Sequence, residues 1–155
     1  MTKFLVDRML GQTAKWLRLL GIDAKYAPEG DDERLLKLAE EEDRVILTRD
    51  KELGRKEDTV LVEKAPPETI IKEVLSRYEV DIDPLSRCSI CNSQVKRIEK
   101  EDLEEKIPEG VYQRNEEFWH CSVCDRYYWR GSHWDDITEN IEDILDDLDS
   151  YENKV

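Results

Sequence analysis

No apolar run in these 155 residues approaches the roughly 20 that a helix needs to cross a bilayer, and the first residues lack the basic-then-apolar layout of a signal peptide. The expectation is a soluble, cytoplasmic protein with no membrane partner. The chain has no Walker loop, no G-x-G-x-x-G and no G-x-S-x-G, which disfavours NTPases, dinucleotide enzymes and α/β-hydrolases. An excess of positive charge is missing as well. The net charge is −14, which argues at first against nucleic acid. The distribution weakens that argument: nine acids and one base between 135 and 155 leave only −6 on the other 134 residues. That tail repels nucleic acid, shields a site, or keeps the protein soluble.

What is present is a run of short apolar segments alternating with helical patterns. Phe4, Leu5 and Val6 suit a buried strand, and Leu10, Ala14, Leu17 and Leu20 then recur at helical spacing, with Gly21 as a stop. Ile22, Ala24 and Tyr26 alternate with polar residues as a second strand, and Pro28-Glu29-Gly30 is a turn. Asp31 or Asp32 caps a helix with Leu35, Leu36, Leu38 and Ala39 on its apolar face. Val45–Leu47 and Thr59–Val62 are further strands, and Pro66-Pro67 opens a helix carrying Ile70, Ile71, Val74 and Leu75. Alternation of this kind implies a parallel α/β sheet flanked by helices.

Residues 81–87 read as a linker. The style then changes, since all four cysteines fall between 88 and 134. Cys88-Ser-Ile-Cys91 and Cys121-Ser-Val-Cys124 are two C-x-x-C knuckles, spaced to share one tetrahedral ion. With no export signal, structural zinc is favoured over disulfides. A four-thiolate shell has no open position, so the expected zinc holds structure and does no chemistry. Stripping it should unfold 88–134 and leave the first domain intact. His120 has the wrong spacing for a ligand, and His133 suits a surface or nucleic-acid contact. Arg126, Tyr128, Trp129 and Arg130 interleave cations with aromatics, which serves either base stacking with phosphate neutralisation or the wrapping of a minidomain too small for another core. Residues 135–155 form an acidic amphipathic tail. Trp134, Ile137, Ile141, Ile144, Leu145 and Leu148 mark one side of a helix, capped by Ser132, that packs on the protein itself or meets a protein partner.

Three acids stand where open α/β sheets bind ligands, beyond the carboxyl ends of strands. Asp7 follows the first apolar run, Asp50 the third, and Asp32 opens a helix. An acid directly after a buried strand is costly unless paired or metal-bound. Asp32 and Asp50 also have plain readings as caps. Together the three are candidate ligands for Mg²⁺ or Mn²⁺, hard ions that take carboxylate oxygens and activate water for phosphodiester hydrolysis. Glu52, Asp31 and Glu33 are additional candidates. Arg8, Lys15, Arg18 and Arg49 are the cations placed near a phosphate backbone.

The segments FLVDRMLG, KWLRLLGIDAKYA, DDERLLKLAEEEDRVILTRDKEL, RCSICN and VYQRNEEFWHCSVCDRYYWRGSHW, in that order, resemble the Mut-seven C-terminal RNase-domain family over nearly all of residues 1–134. The resemblance implies a PIN-like nuclease domain over 1–80, metal-dependent RNA cleavage and a zinc ribbon over 88–134. It implies that Asp7, Asp32 and Asp50 are the catalytic acids and that Cys88, Cys91, Cys121 and Cys124 hold the zinc. Glu52 fills the place of a fourth acid only approximately, and Asp125 stands where ribbons often use Gly. The domain order is also similar to that of the rRNA-maturation nuclease Nob-one, which implies processing of structured RNA. A non-catalytic RNA-binding module and a toxin-like PIN ribonuclease are the alternatives.

Overall fold

Leu5 points one way from the first strand and Phe4 and Val6 the other, and all three are fully buried. That is possible only if both faces of the strand are covered. The structure, a computed structural model, shows how; it describes residues 2–27 and 30–130, and beyond them the exposed helical positions Glu139, Glu142, Asp143 and Asp146. The turn at Pro28-Glu29, Ser132, His133 and the apolar stripe from Trp134 to Leu148 lie outside the described residues.

Strands β1 (Phe4–Val6), β2 (Ala24–Tyr26), β3 (Val45–Thr48) and β4 (Thr59–Leu61) form one parallel sheet in the order β2-β1-β3-β4. Helices α1 (Gly11–Leu19) and α3 (Pro67–Arg77) cover the face that buries Phe4, Val6, Leu17, Leu47, Ile71 and Val74. Helix α2 (Asp32–Glu42) covers the other face, over Leu5, Leu35, Ala39, Ile46 and Leu53. The β1-to-β2 and β2-to-β3 crossovers run in opposite directions on opposite faces, so both have the same hand, as βαβ units require. The α/β expectation is met. The cap of α2 is Asp31, whose carboxylate accepts the Arg34 N–H at 3.0 Å. The turn after Asp50 is a short 3-10 turn at Leu53–Arg55.

A second, antiparallel sheet joins β5 (Lys96–Ile98), β6 (Phe118–Cys121) and β7 (Arg126–Tyr128). Between β5 and β6 the chain makes a 3-10 turn and a short helix α4 (Glu109–Arg114), with Leu103 and Phe118 fully buried. Residues 81–87 lie against the first sheet's layer. Leu85 is buried, and the N–H groups of Asp83 and Leu85 donate to the carbonyls of Leu20 and Leu19. Gly21, at φ +84°, makes this approach possible; a β-carbon there would fall 2.1 Å from the Asp83 carbonyl oxygen.

Candidate functional site

In this sheet the connection from β1 leaves toward β2 and that from β3 leaves toward β4. The boundary between β1 and β3 is therefore a topological switch point, where the two loops part and a crevice opens at the carboxyl edge. Asp7 follows β1 and Asp50 follows β3, so both acids flank that crevice. They are linked through Thr48. The Thr48 hydroxyl, fully buried, donates to Asp7 Oδ2 at 2.7 Å and accepts the Asp50 N–H at 3.0 Å. Asp7 Oδ1 accepts the Arg8 N–H at 2.8 Å, and Asp50 Oδ1 accepts the Glu52 N–H at 2.9 Å. Capping and site geometry thus coincide: main-chain donors hold one oxygen of each carboxylate and fix its direction.

The third acid stands apart. Asp32 lies in the exposed first turn of α2 and lines a separate hollow of about 340 Å³ with Glu52, Arg55 and Lys56. Glu33 is exposed in the same turn, and Asp31 is committed to its cap. The acids run along one edge, Asp7 and Asp50 joined by Thr48, then Glu52, then Asp32 across the hollow. They do not close into a tight cage. Among the described residues the only set of three or more His, Cys, Asp or Glu side chains with ligand atoms all within 4.8 Å is the four cysteines.

Those four thiols fit one metal ion such as zinc. Cys91 Sγ and Cys121 Sγ are 3.5 Å apart, near the roughly 3.8 Å that tetrahedral Zn–S bonds of about 2.3 Å impose. The residue after each knuckle's second cysteine, Asn92 at φ 70° and Asp125 at φ 53°, adopts the left-handed conformation that lets the turn close. Asn and Asp tolerate it best after Gly, which answers the missing glycine at 125. Crowding sets the thiols against one another. Burial opposes ionisation of Cys91, but hydrogen bonds from Ser93 and the neighbouring thiols bring it down to about 6. Hydrogen bonding to Cys91, with burial, pushes Cys124 up to about 12. Four thiolates so close become tolerable together only around a cation. His120 takes no part; it meets Asp125 Oδ1 at 2.8 Å and stacks on Tyr127.

The structure corrects one of the cations. Arg18 is 7% exposed, so it is not a phosphate contact. Its guanidinium donates to the Ala24 carbonyl at 2.7 Å and to the Ser89 and Ile90 carbonyls, both at 3.0 Å. It fastens α1 to the first knuckle. Burial lowers its pKa, and the neighbouring Cys88, Cys91 and Asp23 oppose that shift. Tyr128 and Trp129 are half-buried, and each makes a packing contact within the module. The Tyr128 hydroxyl lies 2.8 Å from Cys88 Sγ, and Trp129 packs on Phe118. Arg130 sits over the Trp119 ring, while Arg126 is exposed. Arg8, Lys15 and Arg49 are exposed near the acid edge.

Sequence reasoning missed Lys64, which lines a cleft of about 580 Å³ with Lys15 and Arg49. No spacing signal marks it, because it reaches the cleft from the loop after β4. It also passed over Thr48 as a bridge, although the hydroxyl lies between two candidate acids in the chain segment Thr48-Arg49-Asp50.

Fold and sites together define a parallel α/β domain with acids at its switch point, carrying a cysteine module able to hold a metal ion. Residues 2–141 match the model of the Mut7-C RNAse domain, and the chain belongs to that family, which indicates a ribonuclease-type function. Neither the curated proteins nor the solved structures include a match. No helix among the described residues is long and apolar enough to cross a membrane.

Proposed function

We propose that the protein is a Mg²⁺- or Mn²⁺-dependent ribonuclease that cuts RNA endonucleolytically, in rRNA maturation or another processing step. Its first domain is read as PIN-like and its cysteine module as a zinc ribbon with one structural Zn²⁺. The observation that carries this reading is the Asp7–Thr48–Asp50 arrangement at the switch point. Asp7 and Asp50 would hold the divalent ion, with the remaining positions left to water and phosphate; Mg²⁺ commonly uses one or two carboxylates in this way. When bound, the ion supplies charge neutralisation at the phosphate and a more acidic water.

The chain's own residues do the rest. Thr48 donates a hydrogen bond to Asp7, which holds that carboxylate in place and leaves it ionised. Main-chain N–H groups orient Asp50. Asp32 and Glu52, further along the edge, would orient water or a second ion. Lys15, Arg49 and Arg8 would steer the phosphate backbone, which matters in a chain of net charge −14. Arg126 and Arg130 would extend the RNA path over the ribbon. A protein partner for the C-terminal helix is part of the same proposal.

One observation favours a second reading, an RNA-binding protein that does not cut: Asp32 is not gathered with Asp7 and Asp50. Cleavage of labelled RNA separates the two. The zinc-loaded protein should cut RNA in Mn²⁺, and Asp7→Asn should lower the rate by roughly 100-fold or more, as expected when a group that stabilises the transition state is lost. RNA binding with no turnover at any Mn²⁺ concentration would establish the second reading instead.

A further inference from the structure

Six of the 24 lysines and arginines of this acidic chain are held in ion pairs across its surface. Lys25, Arg44, Arg77, Arg87, Arg97 and Lys100 all form ion pairs. Lys15, Arg49 and Lys64 are exposed, and none has a carboxylate partner among the described residues. All three border the 580 Å³ cleft, and no acidic side chain lines it. Its wall is apolar: Leu10 and Ile70 are buried behind it, and Met9 is 52% exposed. The amino-terminal turn of α1, which no side chain caps, borders the same space and adds the positive end of a helix dipole.

We propose that this cleft seats one unpaired nucleotide of single-stranded RNA. Its base lies on the apolar wall beside Met9 and its phosphates lie among Lys15, Arg49 and Lys64. This rests on the ribonuclease reading and specifies its substrate. The volume lies within the range of sites that enclose a small organic ligand, so it suits one nucleotide. A thioether against an aromatic base face is a favourable contact, and bases of any identity can use it. An A-form duplex keeps its base faces stacked inside and shows only backbone, 2′-hydroxyls and base edges, so no base face could lie on the apolar wall. Position ties the cleft to the acids: Arg49 stands between Thr48 and Asp50, and the Leu10 N–H bonds the Asp7 carbonyl at 2.9 Å. A nucleotide held there puts its neighbouring phosphodiester at Asp7 and Asp50.

The test is equilibrium binding of a labelled oligouridylate to the zinc-loaded full chain in buffer free of Mg²⁺ and Mn²⁺, where nothing is cut. The same oligouridylate annealed to oligoadenylate is the duplex control. Lys15→Ala and Lys64→Ala, both at exposed positions, should each weaken single-strand binding roughly fivefold or more, and each should flatten the dependence of log K on log salt by about 0.7. Met9→Asp should weaken it as well, and the duplex should bind at least tenfold more weakly than the single strand. Equal affinity for duplex and single strand, or unchanged binding in both lysine variants, would overturn the proposal. Intact binding with no cleavage in Mn²⁺ would remove the nuclease reading and leave the nucleotide site standing. Cleavage with variant-insensitive binding would do the reverse.

Discussion

Asp23 shows how one carboxylate can join two modules. Its Oδ1 accepts from Arg44 Nη1 and from Asn92 Nδ2, each at 2.7 Å, and its Oδ2 lies 3.8 Å from Arg87. Asn92 belongs to the first knuckle, and its Oδ1 in turn accepts the Ala24 N–H of β2 at 3.1 Å. Burial opposes ionisation of Asp23, but the hydrogen bonds from Arg44 and Asn92 outweigh it and hold the carboxyl below its usual range. A carboxyl held low in the folded state stabilises above its unfolded pKa of about 3.9, and that contribution fades as pH falls through the folded value. Asp23→Asn should therefore cost about 1–3 kcal/mol at neutral pH, read by urea denaturation of the zinc-loaded protein. The gap between variant and wild type should shrink below about pH 4. A gap that is constant with pH would mean that the charge of Asp23 is not what matters.

At the scale of elements, the cysteine module is tied to the α/β layer by more than its linker. Arg18 of α1 reaches the carbonyls of Ser89 and Ile90, Asn92 caps the edge of β2, and Leu85 is buried between. Spacing alone suggested that metal removal would leave the first domain untouched. These contacts predict a wider effect. If the knuckle opens, Arg18 keeps only the Ala24 carbonyl and becomes a buried cation short of acceptors, which is costly. Hydrogen exchange after removal of the thiol-bound metal should show lost protection at 88–130 and also at the end of α1 and in β2, with β3 and β4 unchanged. Loss confined to 88–130 would show that the two modules are energetically separate.

For the molecule as a whole, what could be read in advance was local. The two knuckles, the apolar runs of β1 and β3 and the proline that opens α3 each declare themselves within a few residues. Asp7 and Asp50 were legible because each ends such a run. Contacts set by tertiary assembly were not. Arg18 looks like any helical arginine until the first knuckle arrives 71 residues later, and Lys64 looks like a loop lysine until β4 places it beside α1. Asp31 and Asp32 are adjacent, and only the bond to the Arg34 N–H separates a cap from a candidate ligand. The acid edge is assembled from β1, β3 and α2, so whether it binds metal is a property of the fold rather than of any one segment.

That property has a direct measurement: the anomalous signal of manganese in crystals of the zinc-loaded protein soaked in Mn²⁺. The expected result is an ion bonded to carboxylate oxygens of both Asp7 and Asp50, at the crevice between β1 and β3, and lost in Asp7→Asn crystals soaked in the same way. Full occupancy of the thiol site with no manganese near Asp7 and Asp50, at concentrations that support RNA cleavage, would contradict it.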